Sequence, residues 1–216
     1  MIATSAFFVL ILALVLQIAF FFFRKMRDPI SHWLHLSASL LLFLVTILRS
    51  NEIGFFAITN TFESLIFFSG MIALILFVYR VTVKEALLPF ITFGGTIVAI
   101  ILLAVASSPG LPKEALPPIP ALRSHWLVLH VTFSFIGEAF FALAFAASIY
   151  YLVISDERKR GMTDRVIYTS IGIGYPIFTA GALIFGAVWA QYAWGRYWSW
   201  DPKETWALVT WIVYTG

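Results

Sequence analysis

The chain has 216 residues, 61% of them hydrophobic and only 12% charged, with a formal net charge of +3 and no cysteine. Soluble domains run near half apolar and a quarter charged, so this balance excludes an ordinary soluble fold and points to a helical membrane protein. The missing cysteine excludes disulfides and thiolate-held clusters, and basic residues scattered through short loops make no nucleic-acid surface.

Apolar runs predict spans at 3–23, 33–49, 61–79, 87–106, 126–154 and 166–190, with a seventh opening near 202. The first run carries no small-residue cleavage site and exceeds a signal-peptide core, so it reads as an anchor. His32 and His35, three apart, share one face at the start of span two. Such a pair can hold metal, and it also suits an interface beside Pro29 and Trp33. Glu63 in "NTFE" is a membrane-edge carboxylate that fits a helix cap. Five of the nine prolines fall in "SSPGLPKEALPPIPALRSHW", an extended connection rather than a helix. The charge run "SDERKRGMTDR" reads as a solvated turn. In the sixth span, Ala182, Gly186 and Ala190 recur every fourth residue, which permits close helix packing, and Pro176 predicts a kink.

Alternate loops differ in basic charge. Arg24, Lys25, Arg27, Arg80, Lys84, Arg158, Lys159, Arg160 and Arg165 lie on one side. Arg49, Lys113, Arg123, Arg196 and Lys203 lie on the other. The positive-inside rule puts the first set in the cytoplasm and the amino terminus outside, with the Pro-rich loop and the segment after span six. The expected fold is an all-α, polytopic integral membrane bundle of six full spans and the start of a seventh.

Six of the eight tryptophans fall between Trp189 and Trp211. Two readings are open for "AWGRYWSWDPKETW". Indoles suit the membrane interface, and Asp201, Pro202 and Glu204 make a helix start, with Glu204 completing a capping box. Their crowding into one loop and its two flanking helix ends also suits a ligand wall. Trp198 and Trp200, one residue apart, face the same way in an extended stretch. With Arg196 and Lys203 beside them, such a wall fits a planar ligand bearing carboxylates: a haem, a quinone or a lipid headgroup. A haem needs an axial ligand. His125 and His130, about 140° apart around one helix, cannot readily share a ligand. His125 sits at the interface; His130, roughly 7 Å deeper, needs a partner or a metal.

Three stretches carry a resemblance. "WGRYWSWDPKETWALVTW", with "GALIFGAVWAQYAWG" leading into it, resembles the tryptophan-rich signature of the haem-handling cytochrome c assembly proteins, most of all the CcsA (ResC) branch of system II. "LRSHWLVLHV" resembles that family's outer-face histidine stretch, and "NTFESLIFFSG" its early Asn-x-Tyr-Glu-Ser-Leu segment. Phe62 stands where the family often has Tyr. The resemblance implies a haem-handling core over 60–216, after spans one and two and an outer loop in 1–59. It implies haem b as a substrate in transit, His130 as external axial ligand, and a platform of Trp194, Trp198, Trp200, Asp201 and Trp206. Implied partners are a ResB/Ccs1-type membrane protein, an apocytochrome c, a thioredoxin-like thiol reductant pathway and membrane lipid. The implied role is a subunit of a cytochrome c synthase, a haem lyase complex, in a bacterial inner (plasma) membrane or a thylakoid. A CcmC-like haem exporter and a purely structural scaffold are the alternatives. The family continues through further spans that bring a membrane-embedded histidine and a second external one. This sequence ends at Gly216, partway along span seven, so a C-terminally incomplete core is expected.

Overall fold

The computed structural model describes residues 1–24, 28–83 and 88–215. Lys25, Arg27 and Lys84 of the charge count, and Gly216, lie outside the described residues. The elements are α1 (Ile2–Ile18), running on through a π turn (Ala19–Arg24), α2 (Ser31–Ile53), α3 (Thr61–Thr82) and α4 (Leu88–Ala106). Then come a 3-10 turn (Pro120–Leu122), α5 (His125–Val153) and α6 (Glu157–Phe178). A π segment (Thr179–Phe185) carries α6 without a break into α7 (Gly186–Trp194), and α8 (Pro202–Val213) follows. Six helical stretches are long and apolar enough to cross a membrane: Ile2–Phe21, Ser31–Ile53, Thr61–Thr82, Pro89–Ala106, His125–Val153 and Glu157–Trp194. These are the six expected spans, and the architecture is the all-helical membrane bundle that the composition demands.

Packing follows from small and branched residues on facing helices. Ala6 and Leu10 of α1 meet Ala38 and Leu42 of α2. Ile66, Ala73 and Leu76 of α3, Ile91 and Ala99 of α4, and Leu143 and Ala147 of α5 complete the cluster. The other faces expose Phe8, Leu12, Leu40, Leu44, Ile47 and Phe145, as a helix facing lipid tails should. Polar ties are few and internal. His35 is fully buried, and its Nε2–H donates to Thr96 Oγ1 at 2.8 Å. The Thr96 hydroxyl proton is already committed to the Thr92 carbonyl at 2.7 Å, which makes the oxygen the acceptor. His35 therefore joins α2 to α4 inside the bundle instead of sitting at the interface. His32 stacks on Phe77 of α3.

One expectation changes. The charge run 155–165 is not a solvated turn: Asp156 caps Lys159 N at 2.9 Å, and α6 begins at Glu157. The connection from α5 shrinks to three residues, which forces α5 and α6 into an antiparallel hairpin. Past Pro176 the helix continues without a break and widens at Thr179 into the π segment; proline and π turns are both usual sites of a helix bend.

At the outer end, Asn60 and Glu63 form a capping box for α3. Glu63 is 2% exposed, and its carboxylate accepts from Arg49 (3.2 Å), Thr59 N (3.0 Å), Thr59 Oγ1 (3.2 Å) and Asn60 N (3.3 Å). Arg49 also donates to the carbonyls of Lys113 and Glu114 and lies over the Phe62 ring. One buried ion pair thus fastens the Pro-rich loop across α2 and α3.

Two outcomes follow. A Cβ on Gly137 would stand 2.6 to 2.8 Å from Phe178, backbone included, whereas nothing lies within 4 Å of Gly172. Gly137→Ala should cost about 1–3 kcal/mol, read as a fall in melting temperature in detergent, with Gly172→Ala neutral or better. Arg49→Met should leave Glu63 buried and unpaired and free the loop, so that outer protease cuts within 107–119. An uncut loop would contradict the tie.

Candidate functional site

The outer ends of α3, α5, α7 and α8 enclose a cavity of about 1000 Å³, at the upper end of the roughly 300–1,000 Å³ typical of cofactor sites. Ser124 starts α5 by accepting from Trp126 N. That places His125 on the exposed first turn and His130 one and a half turns further in. His130 lines the cavity, and its neighbours determine its chemistry. Nδ1 lies 2.9 Å from the Gly181 carbonyl in the π segment. A carbonyl only accepts, so Nδ1 carries the proton and the lone pair is on Nε2. A Cβ on Gly186 would come within 3.0 Å of the imidazole, so glycine there leaves the ring its room. Trp189 lies parallel to the ring, at 3° and 6.0 Å between centroids. The indole N–H of Trp189 donates to the Ala121 carbonyl at 3.1 Å, which ties α7 to the end of the Pro-rich loop. Pro112 and Leu122 of that loop also line the cavity.

The tryptophan segment is shaped by its acids. Gly195, at φ 74, ends α7 in the left-handed region. Asp201 caps α8 through Glu204 N at 2.9 Å. Glu204 does not close the capping box; its carboxylate instead accepts from Ser199 N (2.6 Å) and Ser199 Oγ (3.1 Å). Drawing Ser199 inward puts Trp200 at φ 59, a conformation costly for a non-glycine residue. The extended stretch with two indoles on one face is therefore absent. The rings of Trp198 and Trp200 stand 85° apart. Trp198 lines the cavity with its Nε1 buried and without a hydrogen-bond partner among the described residues. Trp200 is 69% exposed and is not part of the lining, its ring edge-to-face with that of Trp198.

Of the residues singled out from sequence, His130, Trp194, Trp198 and Asp201 line the cavity, and Trp200 and Trp206 do not. Lys203 lines it without an ion pair among the described residues, while Arg196 is exposed outside it. Sequence reasoning passed over Trp189, Ser134 and Glu138, which also line it. The signal for the last two was present: residues 130, 134 and 138 recur every fourth position, so they share one helix face.

Comparison with known proteins identifies the family. The model of the family described as "Cytochrome C assembly protein" matches residues 58–216. A protein of Chlamydomonas reinhardtii named "Cytochrome c biogenesis protein CcsA" is 38% identical, covering 82% of this chain and 53% of its own length. Proteins of the same name from Heterosigma akashiwo and Microcystis aeruginosa are 33% and 29% identical, over 83% and 76% of this chain. The chain thus spans about half to two thirds of the length of these relatives.

The tautomer of His130 is directly measurable. In protein labelled with ¹⁵N-histidine, the His130 resonances should show a protonated Nδ1 and an unprotonated Nε2 in the unliganded state. The reverse pattern would mean that the Gly181 bond does not form.

Proposed function

The chain belongs to the cytochrome c assembly protein family, and from that premise we propose that its outer cavity holds haem b for covalent attachment to an apocytochrome c. The observation that carries this reading is His130. Its Nδ1 is committed to a backbone carbonyl, which holds the ring and leaves the Nε2 lone pair for iron in a cofactor-sized cavity.

Each neighbour has a role in that arrangement. Trp189 limits rotation of the imidazole. Trp194 and Trp198 present indoles along the wall, where aromatic rings give a flat apolar ligand a large contact area. The unpaired Nε1–H of Trp198 and the ammonium of Lys203 are donors for a propionate arm. Asp201 starts α8 and so positions Lys203. Trp200 and Trp206, exposed beside the mouth, extend the platform toward an incoming polypeptide. The resemblance supplies the rest: a ResB-type membrane partner, and an apocytochrome whose thiols add across the haem vinyl groups after a thioredoxin-like pathway has reduced them. This chain has no thiol. Its contribution is to position haem, exclude water and control one face of the iron, as one subunit of a synthase in a bacterial plasma membrane or a thylakoid.

Haem per protein, measured on the complex with its ResB-type partner in mild detergent, tests this. His130→Ala should lose most of the haem or shift its absorption bands. Trp198→Ala should lower occupancy under limiting haem through a roughly two- to tenfold loss of affinity. Trp200→Ala should load as wild type does. Equal haem with unchanged spectra in all four proteins would show that the segment is an interface belt and a helix cap only.

A further inference from the structure

We propose that Glu138 exchanges a proton in step with the redox state of iron held in the cavity, protonated with ferrous haem and ionised with ferric haem. This rests on the haem reading above. Three acids line the cavity, and two are committed: Asp201 caps α8, and Glu204 holds Ser199. Glu138 makes no hydrogen bond or ion pair among the described residues. It lies two turns inward of His130 on the same face of α5, within a membrane-crossing helix. Between them Ser134 points a buried hydroxyl that also lacks a partner.

The surroundings narrow its counter-charge. Neither α3 nor the α6–α7 helix contributes a charged residue to the lining, and α8 contributes Lys203 at the mouth beside the two committed acids. The cavity is floored by Phe178, and just inward of it Phe141 stacks on Tyr214. The Arg49–Glu63 pair is already occupied at the Pro-rich loop. Among the described residues nothing near the floor therefore compensates an ionised Glu138, and a lone carboxylate at this depth is costly. The core of ferric haem bears one positive charge and that of ferrous haem bears none. An ionised Glu138 balances the first state, and a neutral carboxyl suits the second.

The step balances. One electron from a one-electron reductant converts Fe(III) to Fe(II), and one proton from water in the cavity converts the Glu138 carboxylate to the carboxylic acid. Oxidation reverses both. The two levels on α5 are about 12 Å apart along the helix axis. At an effective dielectric of about 20, a unit charge at that distance shifts an equilibrium about tenfold. For a one-electron couple that is about 59 mV.

The test is the midpoint potential of bound haem against pH, by spectroelectrochemistry on the haem-loaded complex with the ResB-type partner. In wild type the potential should fall as pH rises. Glu138→Gln should lose much of that slope and lie about 59 mV higher at the alkaline end; Glu138→Asp should keep the slope. Haem propionates titrate in all three proteins, so the difference between variants is the diagnostic quantity. A loaded wild type whose profile Glu138→Gln reproduces would overturn the role of Glu138 alone. A wild type that takes up no haem would overturn the haem reading and this inference with it. Redox-induced infrared spectra of wild type need no variant. A carboxyl C=O band gained on reduction is expected, and its absence would overturn the proposal.

Discussion

Everything at the outer site depends on one hydrogen bond, from His130 Nδ1 to the Gly181 carbonyl. Inside a bilayer each backbone carbonyl must find a donor within the protein. Pro176 cannot donate, and beyond it the helix changes register into the π segment. There the Gly181 carbonyl accepts both the Gly186 N–H and the imidazole of His130. The second lone pair of that carbonyl takes the imidazole N–H, which fixes which ring nitrogen keeps its own lone pair. Glycine at 137 and 186 allows the approach: one lets α5 lie against Phe178, and the other leaves space for the ring.

A second constraint shapes the cavity from the opposite side. The Pro-rich loop has few internal hydrogen bonds and would wander if left alone. Arg49 holds its middle and Trp189 its end, the first through a buried pair with Glu63 and the second through Ala121. Between those two fastenings the loop gives Pro112 and Leu122 to the cavity wall. A buried ion pair is a weak source of net stability. Its value here is positional, because it draws two helices and a long loop to one point.

The cavity that results sets a few polar side chains among mostly apolar ones. Lys203 and the Trp198 N–H stand near the mouth, His130 lies at the same level, and Ser134 and Glu138 lie deeper along the same helix face. These are the groups on which the proposed haem reading rests. Trp194, Trp200 and Trp206 are exposed.

Much of this was legible in the residues. The spans emerged from hydropathy because each helix satisfies its own backbone, and Asn60 with Glu63, and Asp201, were readable as helix starts because a cap involves residues three apart. His130 stood out because an imidazole beyond the interface needs a partner. Local rules misled where a distant or slightly longer contact competed. The charge run 155–165 joined a helix once Asp156 capped it, Glu204 turned to Ser199 instead of its own cap, and Trp200 took a left-handed backbone that sets its ring edge-to-face with Trp198. Sequence by itself determined the membrane class and the number of spans, since these depend on composition and short-range periodicity, while the axial role of His130 came from the family resemblance and is a proposal. Tertiary structure alone decided which tryptophans face the cavity, which nitrogen of His130 is free and that Glu138 faces the cavity without a partner among the described residues. Those outcomes rest on pairs such as His130 with Gly181 and Trp189 with Ala121, 51 and 68 residues apart, which no local pattern can bring together.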